Sequence, residues 1–207
     1  MENSERTLEK QLLERYQQVL YVEIFSKGVS SKPALDDFTQ AFHKRHLKKK
    51  EVFVPIGESS HSVGFIIRGV MRAYYVTTDG KEYTKTIFTE KEFLAPLTAI
   101  VTGQNSLIGL QALTHVDLLV TRYRLLEELF AKHHQLEHMA RKMIEFLWAD
   151  KEKRELELVT LSAAERYEIF IKNRRDLLDR IPHHYIASCL GITPVALSRI
   201  RAKKAKR

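Results

Sequence analysis

The sequence HHYIASCLGITPVALSRIRAK, residues 183–203, has the pattern of two short helices joined by a tight turn. Its apolar residues are spaced so that they can close a core between the two helices: Ile186, Leu190, Ile192, Leu197 and Ile200. Gly191 suits the turn, because glycine adopts the left-handed conformation that ends a helix at no steric cost. Thr193 and Pro194 can then cap the second helix and open its first turn. The stretch therefore predicts a helix-turn-helix motif.

The second helix of such a motif lies in the major groove when the motif binds DNA. The predicted contact residues are Thr193, Pro194, Val195, Ser198, Arg199, Arg201 and Lys203. Arg199 is the candidate for reading a base, because a guanidinium can donate to two acceptors of guanine, and a contact with phosphate is the alternative. Lys203 and the basic residues after it are expected to bind phosphates without reading the sequence.

Positive charge is concentrated at the C-terminal end of the chain. The 207 residues carry a formal net charge of +8, and residues 160–207 alone hold eleven basic and four acidic side chains. Such a segment suits a polyanion partner, because contacts with phosphates release their condensed counterions. The charge taken alone fits a solvated basic tail equally well.

Residues 51–122 have the composition of an antiparallel β-domain. They hold six of the eight glycines and six short β-rich runs, EVFVP, VGFII, VMRAYYV, YTKTIF, SLIGLQ and DLLVTR. Short strands separated by turns favour a barrel or sandwich. Asp79-Gly80 predicts a hairpin, since both turn positions tolerate positive φ. Residues 1–50 read mostly as helices, the second from Pro33 to about His43 with Ser31 as its N-cap.

A long helical segment without glycine or proline follows, from about Leu125 to Leu161. An apolar stripe runs along it at three- and four-residue spacing: Leu136, Met139, Met143, Phe146, Leu147, Leu158 and Leu161. A striped helix between two compact parts commonly forms a dimer seam, and packing of the stripe on the chain's own β-domain is the alternative. The capping-box pattern from Ser162 to Glu165 predicts the start of a new helix.

Together these segments resemble the Crp/Fnr regulators over roughly residues 35–203. In the β-region the likeness rests on Glu51-Val52-Phe53, Gly57-Glu58, Phe65–Gly69 and Asp79–Glu82. In the C-terminal part, four segments resemble the branch common in Bacteroidetes: Ala164–Tyr167, Tyr185–Ser188, Leu190–Pro194 and Leu197–Arg201.

The resemblance implies an α+β fold in three parts. These are an N-terminal antiparallel jelly roll of the cyclic-nucleotide-binding type with N-terminal helices (residues 1–124), a helical connector and long dimerisation helix (125–161), and a small all-α helix-turn-helix domain (162–207). It also implies a homodimeric transcription regulator that binds double-stranded DNA at a palindromic site, meets RNA polymerase and responds to a small-molecule effector.

Two positions depart from the family pattern. Val195 stands where the family often has a glutamate, so one usual base contact is missing. The operator sequence of the family therefore cannot be assumed for this chain. Asp176 to Pro182 reads as a short helix, whereas the family usually has a winged hairpin.

The sequence argues against cyclic AMP as the effector. Family members that bind it use a glycine-glutamate pair and a downstream arginine, and the matching segments here are residues 92–97 and 104–108, with no arginine between Arg72 and Arg122. A buried phosphate without a cationic partner is costly to desolvate. We therefore expect another effector or none, and no cofactor.

No enzymatic site is predicted. A cupin-like metalloenzyme, the distant alternative, needs clustered histidines, and the strands offer only His61 and His115. His134 and His138 are four residues apart on a helix, but two ligands do not make a metal site. Cys189 is expected to be a packing residue rather than a redox sensor.

The sequence contains no apolar run of about 18 residues and no signal-peptide pattern at its start, so we expect a cytoplasmic protein without a membrane segment. The main rival to a DNA-binding regulator is a ligand-binding signalling module that does not recognise specific DNA.

Overall fold

A computed structural model describes residues 2–205, and their side chains except those of residues 2–6, 8 and 205. Within that range, eight strands form two antiparallel sheets: β1 His43–Leu47, β2 Val52–Val54, β3 Ser62–Arg68, β4 Met71–Val76, β5 Glu82–Phe88, β6 Phe93–Leu94, β7 Gly109–Ala112 and β8 Val116–Arg122. The first sheet has the order β1-β8-β3-β6 and the second the order β2-β7-β4-β5. This is the predicted antiparallel jelly roll, and it is followed by helices as expected.

The two sheets bury a shared apolar interior between them, and β4 shows how alternation builds it. Met71 and Ala73 lie in that interior, whereas the alternating residues Arg72 and Tyr74 face the other side of the sheet. The turn from β4 to β5 contains Gly80 at φ 79°, so the hairpin predicted from Asp79-Gly80 is confirmed.

The helices occupy both ends of the chain and one short segment between β6 and β7. Their bounds are α1 Glu2–Ser26, α2 Lys32–Gln40, α3 Leu97–Thr102, α4 Tyr123–Lys132, α5 His134–Thr160, α6 Ala163–Arg174, α7 Leu177–Arg180, α8 His183–Cys189 and α9 Pro194–Ala205. Helices α1, α2 and α4 and the start of α5 pack around Phe65 and Leu119 on the outer face of the first sheet.

The N-terminal region contains more strand than predicted. Residues 43–47, expected to be helical or to follow a helix, form β1, and α2 ends at Gln40. The sequence HKRHL has one buried apolar residue, Leu47, and pairing with β8 outweighs its weak intrinsic preference for a strand. Ser31 is the N-cap residue of α2, but its side chain makes no capping hydrogen bond; its N–H donates to Gln135 Oε1 at 3.0 Å.

The apolar stripe on α5 divides between two environments. Leu136 and Met139 are buried in the chain's own β-domain, and Met143 packs beside them. For Leu136 and Met139 the dimer-seam interpretation is wrong and the packing alternative is correct. Phe146 and Leu147, by contrast, are 71% and 56% exposed.

The C-terminal helices form a small core that also includes part of the β-domain. The capping box predicted at Ser162 is confirmed, because Glu165 N donates to Ser162 Oγ and Ser162 N donates to the Glu165 carboxylate. The segment after α6 forms the short helix α7, as predicted from residues 176–182. Val70, Ile87 and Leu113 of the β-domain lie in the same apolar cluster as the C-terminal helices.

Candidate nucleic-acid interface

Helices α8 and α9 have the geometry predicted for a helix-turn-helix. Gly191 adopts φ 69° after the end of α8, and the N–H of the next residue, Ile192, donates to Ala187 O at 3.0 Å. Thr193 Oγ1 accepts the N–H of Ala196 at 3.2 Å and so caps α9. The predicted core closes the motif: Ile186, Leu190 and Leu197 are buried, and Ile192 and Ile200 pack partly buried against them.

One face of α9 points away from this core. At 100° per residue, Val195, Arg199 and Ala202 lie within about 40° of the position opposite the buried Leu197, Ser198 lies beside them, and all four are exposed. The side chains of Ser198 and Arg199 have no hydrogen-bond or ion-pair partner among the described residues. The face therefore presents a hydroxyl, a guanidinium and two small apolar groups to a ligand.

Ala202 was not among the predicted contact residues, although it lies in the middle of this face. Its position follows from the spacing alone, since it is seven residues after Val195 and three after Arg199. A methyl group at such a position can contact the methyl group of thymine.

The remaining predicted residues flank this face. Thr193 and Pro194 are exposed at the start of α9, and Lys203 is exposed on its far side. Arg201 Nη1 lies 2.6 Å from His183 Nδ1, which ties the guanidinium to the start of α8. Lys206 and Arg207, expected to bind phosphates, lie outside the described residues.

Much of the C-terminal positive charge is used inside the protein rather than at this surface. Arg166 donates to the carbonyl oxygens of Leu190 and Leu161 at 3.1 and 2.5 Å. Arg174 and Arg180 form ion pairs with Glu92 and Glu90 of the β-domain. The formal charge of residues 160–207 therefore overstates the charge available to a polyanion.

A second exposed surface lies along the outer half of α5. Ile144, Trp148 and Val159 fall within about 60° of one another around the helix axis at 100° per residue, and their exposed fractions are 45%, 60% and 86%. Phe146 is also exposed but lies on nearly the opposite side of the helix. An apolar strip of this kind on a long helix is typical of a subunit interface.

Residues 104–108, which the family resemblance matches to a nucleotide-binding segment, form hydrogen bonds within the β-domain. Buried Ser106 donates through Oγ to Ile108 O at 2.7 Å, and its N–H donates to Glu58 O at 2.9 Å. Gly109 lies directly under the Tyr74 ring, where an added Cβ would be 2.4 Å from ring carbons. The nearby guanidinium of Arg72 is engaged by Glu82 and by Gln111, at 2.7 and 2.9 Å from the Gln111 amide oxygen.

The histidines and the cysteine make no reactive cluster in the part of the chain that is described. No three of the described His, Cys, Asp or Glu side chains are close enough to share a metal ion. His134 lies 3.3 Å from Glu137, and His138 lies 3.1 Å from Arg141. Burial raises the pKa of the Cys189 thiol, although Arg154 beside it acts in the opposite direction, so the reactive thiolate is disfavoured.

Among the described helices, none combines the length and the hydrophobicity that a membrane span requires.

Comparisons with known proteins agree with this architecture. Residues 44–133 match the family model of the cyclic nucleotide-binding domain. FixK2 from Bradyrhizobium japonicum has a similar fold, with a TM-score of 0.71 and 17% identity over 80% of this chain and 85% of that one. For the c-di-GMP responsive global regulator CLP of Xanthomonas campestris, the TM-score is 0.67 and the identity 15%, over 85% of this chain and 92% of that one. For the catabolite activator protein of Thermus thermophilus, the TM-score is 0.55 and the identity 17%, over 89% of this chain and 87% of that one.

No curated protein sequence matches the chain. At these identities the structural likenesses show a shared fold over most of each chain. The branch common in Bacteroidetes stays a prediction.

Proposed function

We propose that this chain, which has the fold of the Crp/Fnr transcription regulators, is a homodimeric regulator that binds a specific duplex DNA site through α9. The observation that carries the proposal is the exposed face of α9, where Ser198 and Arg199 are free of internal partners on a capped helix-turn-helix. The fold is that of regulators rather than of enzymes.

The roles within the motif follow from the side-chain chemistry. Arg199 reads a guanine, because its guanidinium is unpaired and central on the exposed face. Ser198 and Thr193 donate to phosphate or base, Pro194 and Val195 make apolar contacts, and Arg201 and Lys203 hold phosphates on either side. With no glutamate at Val195, the operator differs from the one that glutamate-containing relatives read.

Dimerisation would place two such motifs on one duplex. The strip formed by Ile144, Trp148 and Val159 on α5 is the proposed seam. It replaces the predicted stripe, whose inner part packs on the β-domain and whose Phe146 lies on nearly the opposite side of the helix. Two recognition helices in successive major grooves are about 34 Å apart, so the site is a palindrome whose half-sites are one helical turn apart. Residues 1–124, 125–161 and 162–207 then act as sensor, connector and DNA-binding parts.

Any effector of the sensor part is a molecule other than cyclic AMP in its familiar binding mode. The segments expected to hold its phosphate, residues 92–97 and 104–108, contain no lysine or arginine, and the nearby Arg72 is already paired. RNA polymerase is a further proposed partner, on the family resemblance alone.

Selection from random duplex DNA with the purified full chain tests the proposal. Enrichment of a palindrome by the wild type, and its loss in a Ser198→Asp, Arg199→Ala double variant that keeps the native melting temperature, would support it. Equal binding to all sequences would instead favour a signalling module that lacks specific DNA recognition.

A further inference from the structure

The turn between β5 and β6, residues 89–92, makes direct ionic contact with the C-terminal helices. Glu92 Oε1 accepts from Arg174 Nη2 at 2.6 Å, and Arg174 Nη1 also donates to Thr89 Oγ1 at 3.1 Å. Glu90 pairs with both terminal nitrogens of Arg180, one of them at 3.0 Å. Two-pronged contacts of this kind restrict orientation as well as distance, because both donors of a planar group must be satisfied together.

Both carboxylates also accept hydrogen bonds from backbone N–H groups of the β-domain. Gly69 N donates to Glu90 Oε1 at 2.8 Å, and Thr89 N donates to Glu92 Oε2 at 2.8 Å. The turn is bonded to β3, since Ile66 N donates to Glu92 O at 3.1 Å and Lys91 N donates to Ile66 O at 2.8 Å. The acidic groups therefore move only when the β3 and β4 region moves with them.

A second contact joins the edge strand β5 to the first helix of the motif. Thr84 N, which has no strand partner on that edge, donates to Ser188 Oγ of α8 at 2.8 Å. The guanidinium of Arg72, itself only 3% exposed, lies 4.3 Å from the Tyr74 ring centroid and 4.6 Å from that of Tyr185 on α8.

The connector helix α5 reaches the motif from another side. Arg154 Nη2 donates to Cys189 O at the end of α8 at 2.6 Å, and Leu158 packs against Gly191. The contacts from residues 89–92 and from β5 are separate from these, so they attach the C-terminal helices to the β-domain independently of α5.

We infer that residues 89–92 and the edge of β5 form an orientation clamp, a surface of the β-domain that fixes the angle of the helix-turn-helix and hence the separation of the two α9 helices in the dimer. This inference rests on the proposed function. A rearrangement of β3 or β4 reaches α6 and α7 through Glu92 and Glu90, and these helices share an apolar core with the motif, so no change in the connector helix is needed. The clamp leaves α9 exposed, so it sets geometry and does not occlude the DNA surface.

A charge-swap cycle on the full-length protein tests the clamp. The variants are Glu92→Arg, Arg174→Glu and the double swap, with Glu92→Gln as a milder change that keeps an oxygen for Thr89 N. Glu128→Arg is the matched control, since Glu128 is exposed and pairs only with Arg124 on its own helix. The first readout needs no DNA: hydrogen exchange of α8 and of residues 89–92 in the free protein.

The expected exchange is faster in both single reversals, near wild-type in the double swap and unchanged in Glu128→Arg. The second readout compares binding to the selected palindrome and to versions with one base pair added or removed between the half-sites. Each single reversal should lower the preference for the original spacing about tenfold, as expected for loss of a charge-assisted hydrogen bond. Binding to an isolated half-site should not change.

Faster exchange without any change in spacing preference would overturn the clamp's role in DNA geometry. Unchanged exchange in both reversals and in Glu92→Gln would overturn the clamp itself. If the wild-type protein selects no DNA at all, the proposed function fails, while the exchange cycle still decides whether the ionic contact holds the two parts together.

Discussion

Arg199 is the residue on which sequence reading by α9 depends, because it is the only guanidinium at the centre of the exposed face within the described chain. Replacing it with alanine should cost about 1–3 kcal/mol at one base-pair position and relax the preference there. Lys203→Ala is the control: its loss should weaken binding to all sequences alike and make binding less sensitive to salt. Titrations against single-base variants of the selected site distinguish the two. Uniform weakening by Arg199→Ala would identify that side chain as a phosphate anchor.

Gly109 tests the packing of the β-domain at the level of a single methyl group. A Cβ at Gly109 would be 2.4 Å from the Tyr74 ring, whereas one at Gly64 would make ordinary contacts of 3.4 Å and more. Because overpacking a filled site costs about 1–3 kcal/mol, Gly109→Ala should lower the free energy of unfolding by that amount. Gly64→Ala, the matched control, should have little effect. Urea denaturation measures both, and equal stabilities would mean that the Tyr74 ring moves aside freely.

The outer half of α5 is the element on which the assembly depends. Trp148→Glu places a charge in the proposed seam, and an unpaired charge is costly to bury, so the variant should be a monomer. Phe146→Glu is the control, since Phe146 is also exposed but lies on the far side of the helix. Sedimentation equilibrium measures the mass of each variant, and loss of the dimer in both or in neither would contradict the assignment of the seam to this face.

Element by element, the sequence allows prediction where one physical cue acts alone. Gly191, Thr193 and Pro194 each dictate a local backbone state, so the helix-turn-helix and its capping could be predicted. β1 could not, because HKRHL becomes a strand through pairing with β8, which lies some seventy residues later. The stripe on α5 has the same spacing whether it meets the β-domain or another subunit, and only the tertiary structure separates buried Met139 from exposed Phe146. The clamp could not be predicted from the sequence either, since nothing in the neighbouring residues distinguishes Arg174 and Arg180 from arginines that bind DNA.

At the scale of the whole molecule, the contact between the β-domain and the C-terminal helices should depend on pH. Burial alone would raise the pKa of Glu90, but the hydrogen bonds from Arg180 and from Gly69 N outweigh it, so the pKa lies below its usual value. A carboxyl group whose pKa is lowered by folding stabilises the folded state above its unfolded-state pKa of about 4.3, and this contribution is lost as the pH falls through the lower folded-state value.

The comparison of wild type with Glu90→Gln isolates this contribution. At pH 7 the variant should be less stable by roughly 1 kcal/mol, a modest value because the pair is about one-third exposed and screened by solvent. The difference should shrink below about pH 4 and vanish once Glu90 is protonated in both states. Glu145→Gln is the control, since Glu145 pairs with Arg141 and Lys142 within one helix and holds no two parts of the chain together. Unfolding free energies from urea titrations at several pH values measure both differences. A Glu90→Gln difference that stayed constant down to pH 3 would show that the carboxylate charge does not stabilise this contact.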